Sequence, residues 1–174
     1  MKIIHNTRTG HEYILLRTAA ETNGELLEME VTYPAHSHEP PAHLHPHQTE
    51  HFQLLSGELT LRMGGQLWVL KTGDRFSIPP NTAHSMWNSG GQRAVLHWVI
   101  TPALQSERFF ETIAGLANDG KTNGKGVPGL LQIALTMRYF FEEYRLVKPP
   151  FWVQKLVFAM LAPLALLMGY KPVG

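Results

Sequence analysis

The chain has 174 residues, of which 44% are hydrophobic and 17% charged, and its formal net charge is +1 with the histidines neutral. This composition suits one domain with a packed core and an appendage, and it excludes a disordered chain. The chain has no basic stripe, so nucleic-acid binding is not expected. It also has no cysteine, so disulfides are excluded and any metal must be bound by nitrogen and oxygen.

Residues 11–33 predict two strands near the start of the chain. Residues 1–10 lack the apolar run of a signal peptide, so a cytoplasmic location is expected. Residues 13–16 form a short apolar run, and residues 22–25 indicate a turn. Apolar and polar side chains then alternate over residues 27–33, which is the period of a half-buried strand.

Histidines are concentrated in the proline-rich segment that follows. His43 and His45 are two residues apart, so on a strand they point to the same face, and Glu50 can rejoin that face after the break at Pro46. A later segment contributes His84. Three imidazoles and one carboxylate can bind one octahedral metal ion and leave positions open for water, oxygen or substrate. A cluster of surface histidines is the alternative that the first segment alone leaves open.

A series of short strands occupies the region that begins at Glu50. Residues 58–63 alternate in polarity, Gly64-Gly65 indicates a hairpin, and residues 67–70 form the returning strand. Further strands are predicted at residues 75–78, 83–87 and 93–100. Short strands separated by turns are typical of a β-sandwich or barrel. Residues 94–100 are apolar on both faces, so they need the barrel interior on one side and a helix, an extra strand or a partner subunit on the other.

Two segments of this region resemble the two motifs of the cupin family. The first segment has the spacing His43-x-His45-x4-Glu50-x6-Gly57. The second has the spacing Gly73-x5-Pro79-x-Asn81-x2-His84-x3-Asn88. Asn81 and Ser37 stand where cupins usually have glycine, and asparagine tolerates the left-handed backbone of a tight turn. Two motifs in the right order favour an internal metal site over a surface cluster.

The resemblance implies a mainly β fold and a metal site. The fold is a double-stranded β-helix, the jelly-roll or cupin barrel, over residues 1–101, followed by about three C-terminal α-helices over residues 102–174. The implied ligands of one divalent transition metal are His43, His45, Glu50 and His84. Iron, manganese, nickel, copper and zinc all accept these ligands, so the identity of the metal stays open.

Apolar side chains of the predicted strands are the candidates for a substrate pocket, and Glu50 is the candidate catalytic residue, as a ligand or as a base. The pocket candidates are Phe52, Leu54, Leu59, Leu61, Met63, Phe76, Ile78 and Met86. Such a pocket suits a small aromatic or otherwise apolar molecule better than a sugar phosphate.

Helices are predicted after Pro102. Thr101-Pro102 resembles a helix start, Pro128 opens a second helix, and Pro149-Pro150 ends that helix and starts a third. Residues 156–168 are apolar all round, so that helix must be buried or in lipid. We expect the helices to pack on the barrel exterior or on a neighbouring subunit and to leave the metal pocket alone. Thirteen residues span about 20 Å of a ~30 Å hydrocarbon core, so a membrane contact is the weaker expectation.

Three functions are compatible with these features. The leading one is a metal-dependent enzyme, such as a dioxygenase or another cupin oxidoreductase or isomerase, acting on a small apolar or aromatic molecule. The second is a non-catalytic, metal-dependent module that binds or senses a small molecule. The third is a structural role in which the helical tail docks on a membrane or a partner. A homodimer is expected in each case.

Overall fold

The computed structural model describes residues 2–173, which form a β-sandwich barrel and three helices. The strands are β1 (Lys2–His5), β2 (Glu12–Arg17), β3 (Leu27–Tyr33), β4 (His43–Leu44), β5 (Thr49–Ser56), β6 (Glu58–Met63), β7 (Gln66–Lys71), β8 (Arg75–Ile78), β9 (His84–Trp87), β10 (Ala94–Thr101) and β11 (Arg145–Leu146). The helices are α1 (Ser106–Asn118), α2 (Leu130–Tyr139) and α3 (Phe151–Leu167). The predicted fold class, a mainly β barrel followed by helices, is confirmed.

The strands pair in two antiparallel sheets. One sheet has the order β1-β2-β3-β10-β5-β8, and the other has the order β11-β4-β9-β6-β7. Inward-facing side chains alternate with partly exposed ones along β3, as the period of its sequence predicts. The inward-facing residues of both sheets meet in one apolar core inside the barrel.

Strand β10 lies in the middle of its sheet, between β3 and β5. On its inner face, Trp98 packs against Phe110 of α1 with ring centroids 5.4 Å apart. The other face is half-buried, and there His97 contacts Glu28 of β3 with 2.8 Å between Nε2 and Oε1. The inner face of this strand therefore lies in the barrel core, to which α1 adds Phe110. Cover of the other face by a partner subunit stays a prediction.

The predicted helix start at Pro102 is wrong, because α1 begins at Ser106. Strand β10 continues through Thr101, which pairs with Thr49 of β5. The amide of Gln48 then donates to the Pro102 and Ala103 carbonyls and to the Ser106 hydroxyl. These bonds hold the connection in a non-helical path, so the helix starts after it.

The second and third helices form a pair that has its own small apolar clusters. Helix α2 begins at Leu130, two residues after the predicted start at Pro128. Ala162 and Ala165 of α3 are buried against Leu135 of α2, and small residues there allow the two helices to approach closely. Among residues 2–173, no helix combines the length and the apolar character that crossing a bilayer requires.

Candidate metal centre

Three histidines meet inside the barrel. His43 on β4 is paired in register with His84 on β9, and His45 follows two residues after His43. One potential ligand atom from each of the three side chains lies within 4.8 Å of the others. The ring centroids of His43 and His84 are 4.4 Å apart, and those of His45 and His84 are 5.4 Å apart.

A backbone carbonyl fixes the orientation of each ring. Nδ1 of His43 is 3.1 Å from the Pro41 carbonyl, and Nδ1 of His84 is 2.9 Å from the Thr82 carbonyl. Nδ1 of His45 is 2.6 Å from the Glu143 carbonyl. A carbonyl can only accept a hydrogen bond, so each Nδ1 carries the proton and each Nε2 keeps a free lone pair. This is the arrangement that proteins use to orient histidine ligands of a metal.

Glu50 enters the same space from β5 of the opposite sheet. Its side chain is 0% exposed, and its two carboxylate oxygens lie 3.2 Å from His45 Nε2 and 3.1 Å from His84 Nε2. Within the described chain, neither oxygen has a partner in hydrogen-bonding geometry, and the same is true of His45 Nε2. Buried carboxylates without partners are costly unless a cation compensates them. A divalent transition metal fits this set of three imidazoles and one carboxylate.

The pKa values of the histidines suit this chemistry. Burial, together with the neighbouring imidazoles of His84 and His45, holds the pKa of His43 well below its usual range. Burial also lowers the pKa of His45, although the charge of Glu50 opposes it. At His84 burial acts in the same direction, but the Glu50 carboxylate outweighs it and raises that pKa. His43 and His45 are therefore uncharged at neutral pH, which is the form of imidazole that binds metals.

Asn81 links the second motif to the first. Its φ of 61° lies in the left-handed region, which is why a glycine or an asparagine suits this position. Its backbone N–H donates to the His45 carbonyl at 2.8 Å, and its side-chain amide donates to the Pro46 carbonyl at 3.2 Å. Ser37, at the other unusual position, accepts a hydrogen bond from the backbone N–H of Asn88 at 2.8 Å. Both replacements are thus part of the scaffold around the site.

The C-terminal extension, residues 102–174, contacts the histidines. The prediction that its helices leave the metal pocket alone is therefore wrong. Strand β11 extends the sheet beside β4, with Leu146 opposite His43. The residues just before it carry the Glu143 carbonyl that contacts His45 and the Tyr144 ring that stacks on His43, with centroids 4.4 Å apart. Two residues are too few to show a strand period, so sequence reasoning missed β11.

A cavity of about 820 Å³ opens beside His43 and His84. Its walls come from the barrel, from α1 and α2, and from the loop before α2. The aromatic residues among them are Tyr13, Tyr33, Phe52, Trp98, Phe109, Phe110 and Tyr144. Burial raises the pKa of Tyr33 well above its usual range, so this hydroxyl stays protonated in the wall.

The predicted pocket residues fall into two groups. Phe52 and Met86 line the cavity. The other six do not line it. Four of them are buried in the barrel core, namely Leu54, Leu59, Leu61 and Ile78. The other two pack against that core, namely Met63 and Phe76. Inward-facing strand residues fill one part of the barrel with one another, so loops supply most of the cavity wall, chiefly residues 34–41 and 124–128. That wall could not be read from the strand period.

Comparisons with known proteins agree with this architecture. A family model described as a cupin domain matches residues 29–100. An oxidoreductase of Arthrobotrys oligospora is 30% identical over 122 residues, which are 66% of this chain and 47% of that protein. The oxidoreductase macE of Penicillium terrestre is 27% identical over 126 residues, again 66% of this chain and 47% of the relative. The chain thus spans about half the length of these curated relatives.

Two solved structures share the fold. An RmlC-like cupin from Shewanella frigidimarina has a TM-score of 0.51 at 22% identity, covering 60% of this chain and 86% of that one. A predicted oxalate decarboxylase from Thermotoga maritima has the same TM-score and identity, covering 58% of this chain and 90% of that one. Similarity at this identity shows the fold and does not identify a substrate.

Proposed function

Because residues 29–100 match the cupin domain family and the strands have the cupin fold, we propose that the chain is a metal-dependent oxidoreductase that acts on a small aromatic or otherwise apolar molecule. One observation carries this proposal. Three correctly oriented imidazoles converge, a buried carboxylate without hydrogen-bond partners contacts two of them, and the cluster faces a cavity with aromatic walls. The relatives named oxidoreductases support the class of reaction, and dioxygen insertion is the form of it that we propose.

In this proposal, His43, His45, His84 and Glu50 hold the metal. A divalent metal, when bound, supplies a Lewis acid beside which a substrate oxygen or dioxygen is activated. The carbonyls on each Nδ1 keep the rings in place during the reaction. Among residues 2–173, Glu50 supplies the carboxylate that contacts the histidine cluster, so the Glu50 oxygen that does not bind the metal would accept a proton from the substrate.

The aromatic walls orient the substrate and exclude water. Phe52 and Trp98 lie with ring centroids 5.2 Å apart, and Trp98 and Phe110 lie 5.4 Å apart. These rings pack against one another, and the sides that they turn to the cavity offer an aromatic surface on which a planar ring would pack by stacking or edge contact. The volume of about 820 Å³ is within the range of small-molecule sites.

Metal analysis followed by oxygen uptake tests the proposal. The chain is purified without a histidine tag, its metal content is measured, and phenolic substrates are screened for metal-dependent oxygen consumption. We expect about one divalent metal per chain and turnover that chelation abolishes. His45→Ala should lose both the metal and the activity, because it removes an Nε2 ligand. Activity that survives complete metal removal would refute the proposal. Metal and ligand binding without turnover would instead identify a binding module.

A further inference from the structure

Helix α3 presents a continuous apolar face to solvent. Besides Leu166 at 56%, which widens the face, the large exposed side chains are Trp152 at 71%, Leu156 at 56%, Met160 at 62%, Leu164 at 50% and Leu167 at 86%. They recur every three or four residues, so they lie along one side of the helix. The opposite side is buried, through Gln154, Phe158, Ala162 and Ala165. A face of this kind on a surface helix marks a site of interaction.

The charged residues in the segment that carries this face have one sign. Residues 144–174 contain four lysines and arginines and no aspartate or glutamate. Lys148, Lys155 and Lys171 are exposed, and none of them forms an ion pair with another described residue. The fourth cation, Arg145, pairs with Glu142. Three free lysines flanking an apolar face complement an anionic surface.

Aromatic side chains mark the two ends of the face. Trp152 lies in the first turn of α3 and is 71% exposed, and Tyr170 lies just after the helix and is 37% exposed. Tryptophan and tyrosine have an apolar ring and a polar atom, so they favour the boundary between lipid chains and headgroups. This helix combines an apolar face, flanking lysines and aromatic rings at its two ends. That combination is typical of a helix that lies in a bilayer interface.

We propose that α3 docks the protein on an anionic lipid bilayer, with the helix axis in the plane of the membrane. Its 17 residues are about 26 Å long, which is short of a ~30 Å hydrocarbon core. Half of its circumference is packed on α2, so lipid can reach only the other half. The helix therefore lies on the membrane and does not cross it. This proposal is independent of the metal site and of the reaction.

Vesicle co-sedimentation of the full chain tests the docking. The probes are vesicles of phosphatidylcholine alone and vesicles that also contain phosphatidylserine as the anionic lipid. We expect binding to the anionic vesicles that weakens as salt is added, because salt screens the lysines. Lys155→Gln and Lys171→Gln should each weaken binding about fivefold. A triple variant, Leu156→Gln, Met160→Gln and Leu164→Gln, should weaken it at least about tenfold.

A second exposed apolar group provides the matched control. Leu67 and Val69 of β7 are 56% and 55% exposed, close to the values of Leu156 and Leu164. The double variant Leu67→Thr and Val69→Thr removes exposed apolar area from the barrel, has β-branched side chains at both strand positions, and should bind vesicles as the unmodified chain does. Circular dichroism of each variant establishes that it is folded.

Two results would overturn the proposal. One is the absence of binding to anionic vesicles by the full chain. The other is a dimer in solution that the triple α3 variant converts to a monomer, because a second copy would then cover this face.

Discussion

At the scale of single residues, the site is an assembly of groups that depend on one another. Each histidine is oriented by a carbonyl that lies outside the cluster, and Glu50 reaches the cluster from the opposite sheet. The barrel core holds these positions without the metal, because the strands that carry them are packed by aliphatic side chains. Changes to a single ligand should therefore alter metal affinity more than they alter the fold.

Replacing Glu50 with glutamine tests the role of its charge. Glu50→Gln keeps the shape of the side chain but removes the negative ligand, so we expect the affinity for a divalent metal to fall at least about tenfold. Titration calorimetry, or the rise in Tm on adding metal, measures the change. Glu58→Gln is the control, because it removes the same charge from an exposed pair with Lys71. Equal affinities in the two variants would exclude Glu50 as a ligand.

His11 should make the stability depend on pH. Burial lowers its pKa from 6.5 to about 4, so between these values the unfolded chain binds a proton that the folded chain does not. Stability contributed by His11 is present above pH 6.5 and is lost as the pH falls towards 4, by up to about 3 kcal/mol. Denaturant titrations at several pH values should show a smaller loss for His11→Phe. The same slope in both proteins would contradict this assignment.

At the scale of elements, β11 joins the extension to the metal site. It adds a strand beside β4, and the Val147 N–H donates to the Ala42 carbonyl at 2.9 Å just beyond it. The residues before β11 then place the Glu143 carbonyl on His45 and the Tyr144 ring on His43. The residues before one short strand thus orient His45 and pack on His43, two ligands that are about a hundred residues away in sequence.

Substitutions of Tyr144 separate its ring from its hydroxyl. Tyr144→Ala removes the ring that stacks on His43, so we expect metal affinity to fall about two- to tenfold. Tyr144→Phe keeps the ring and should bind metal as the unmodified chain does. Isothermal titration with one divalent metal compares the two. A loss in the phenylalanine variant as large as in the alanine variant would show that the hydroxyl, and not the stacked ring, supports the site.

At the scale of the whole molecule, the chain has one barrel core and a smaller helical layer. The barrel core extends from the sheets to Ala114 of α1, and separate clusters hold α2 against α3. The cavity lies between the barrel and α2, so the helical layer both closes the cavity and carries the exposed face of α3. The division at residues 101 and 102, the homodimer and the cytoplasmic location stay predictions.

The packing of the helical layer can be tested by two alanines of α3. Ala162 is 4% exposed between α2 and α3, so Ala162→Leu should overpack the contact and lower the free energy of unfolding by about 1–3 kcal/mol. Ala159 is exposed on the same helix, so Ala159→Leu should change it by less than about 0.5 kcal/mol. Chemical denaturation measures both. Equal effects would contradict the burial of this face.

The sequence by itself determined the strands and the set of metal-ligand candidates. Alternation over residues 27–33 needs only neighbouring residues to predict a half-buried strand, and β3 occupies that range. The spacing of His43 and His45 places two imidazoles on one face for the same local reason. The resemblance of two motifs supported Glu50 and His84 as further candidates. The structure brings the three imidazoles together and places Glu50 against His45 and His84.

Only the tertiary structure decided what surrounds these residues. The strand period shows that Leu54 and Phe52 both face inward, but it cannot show that one is in the core while the other lines the cavity. Nor can the apolar run of α3 show which half meets α2 and which half meets solvent. Those outcomes depend on contacts between residues far apart in the chain, as Tyr144 shows by packing on His43.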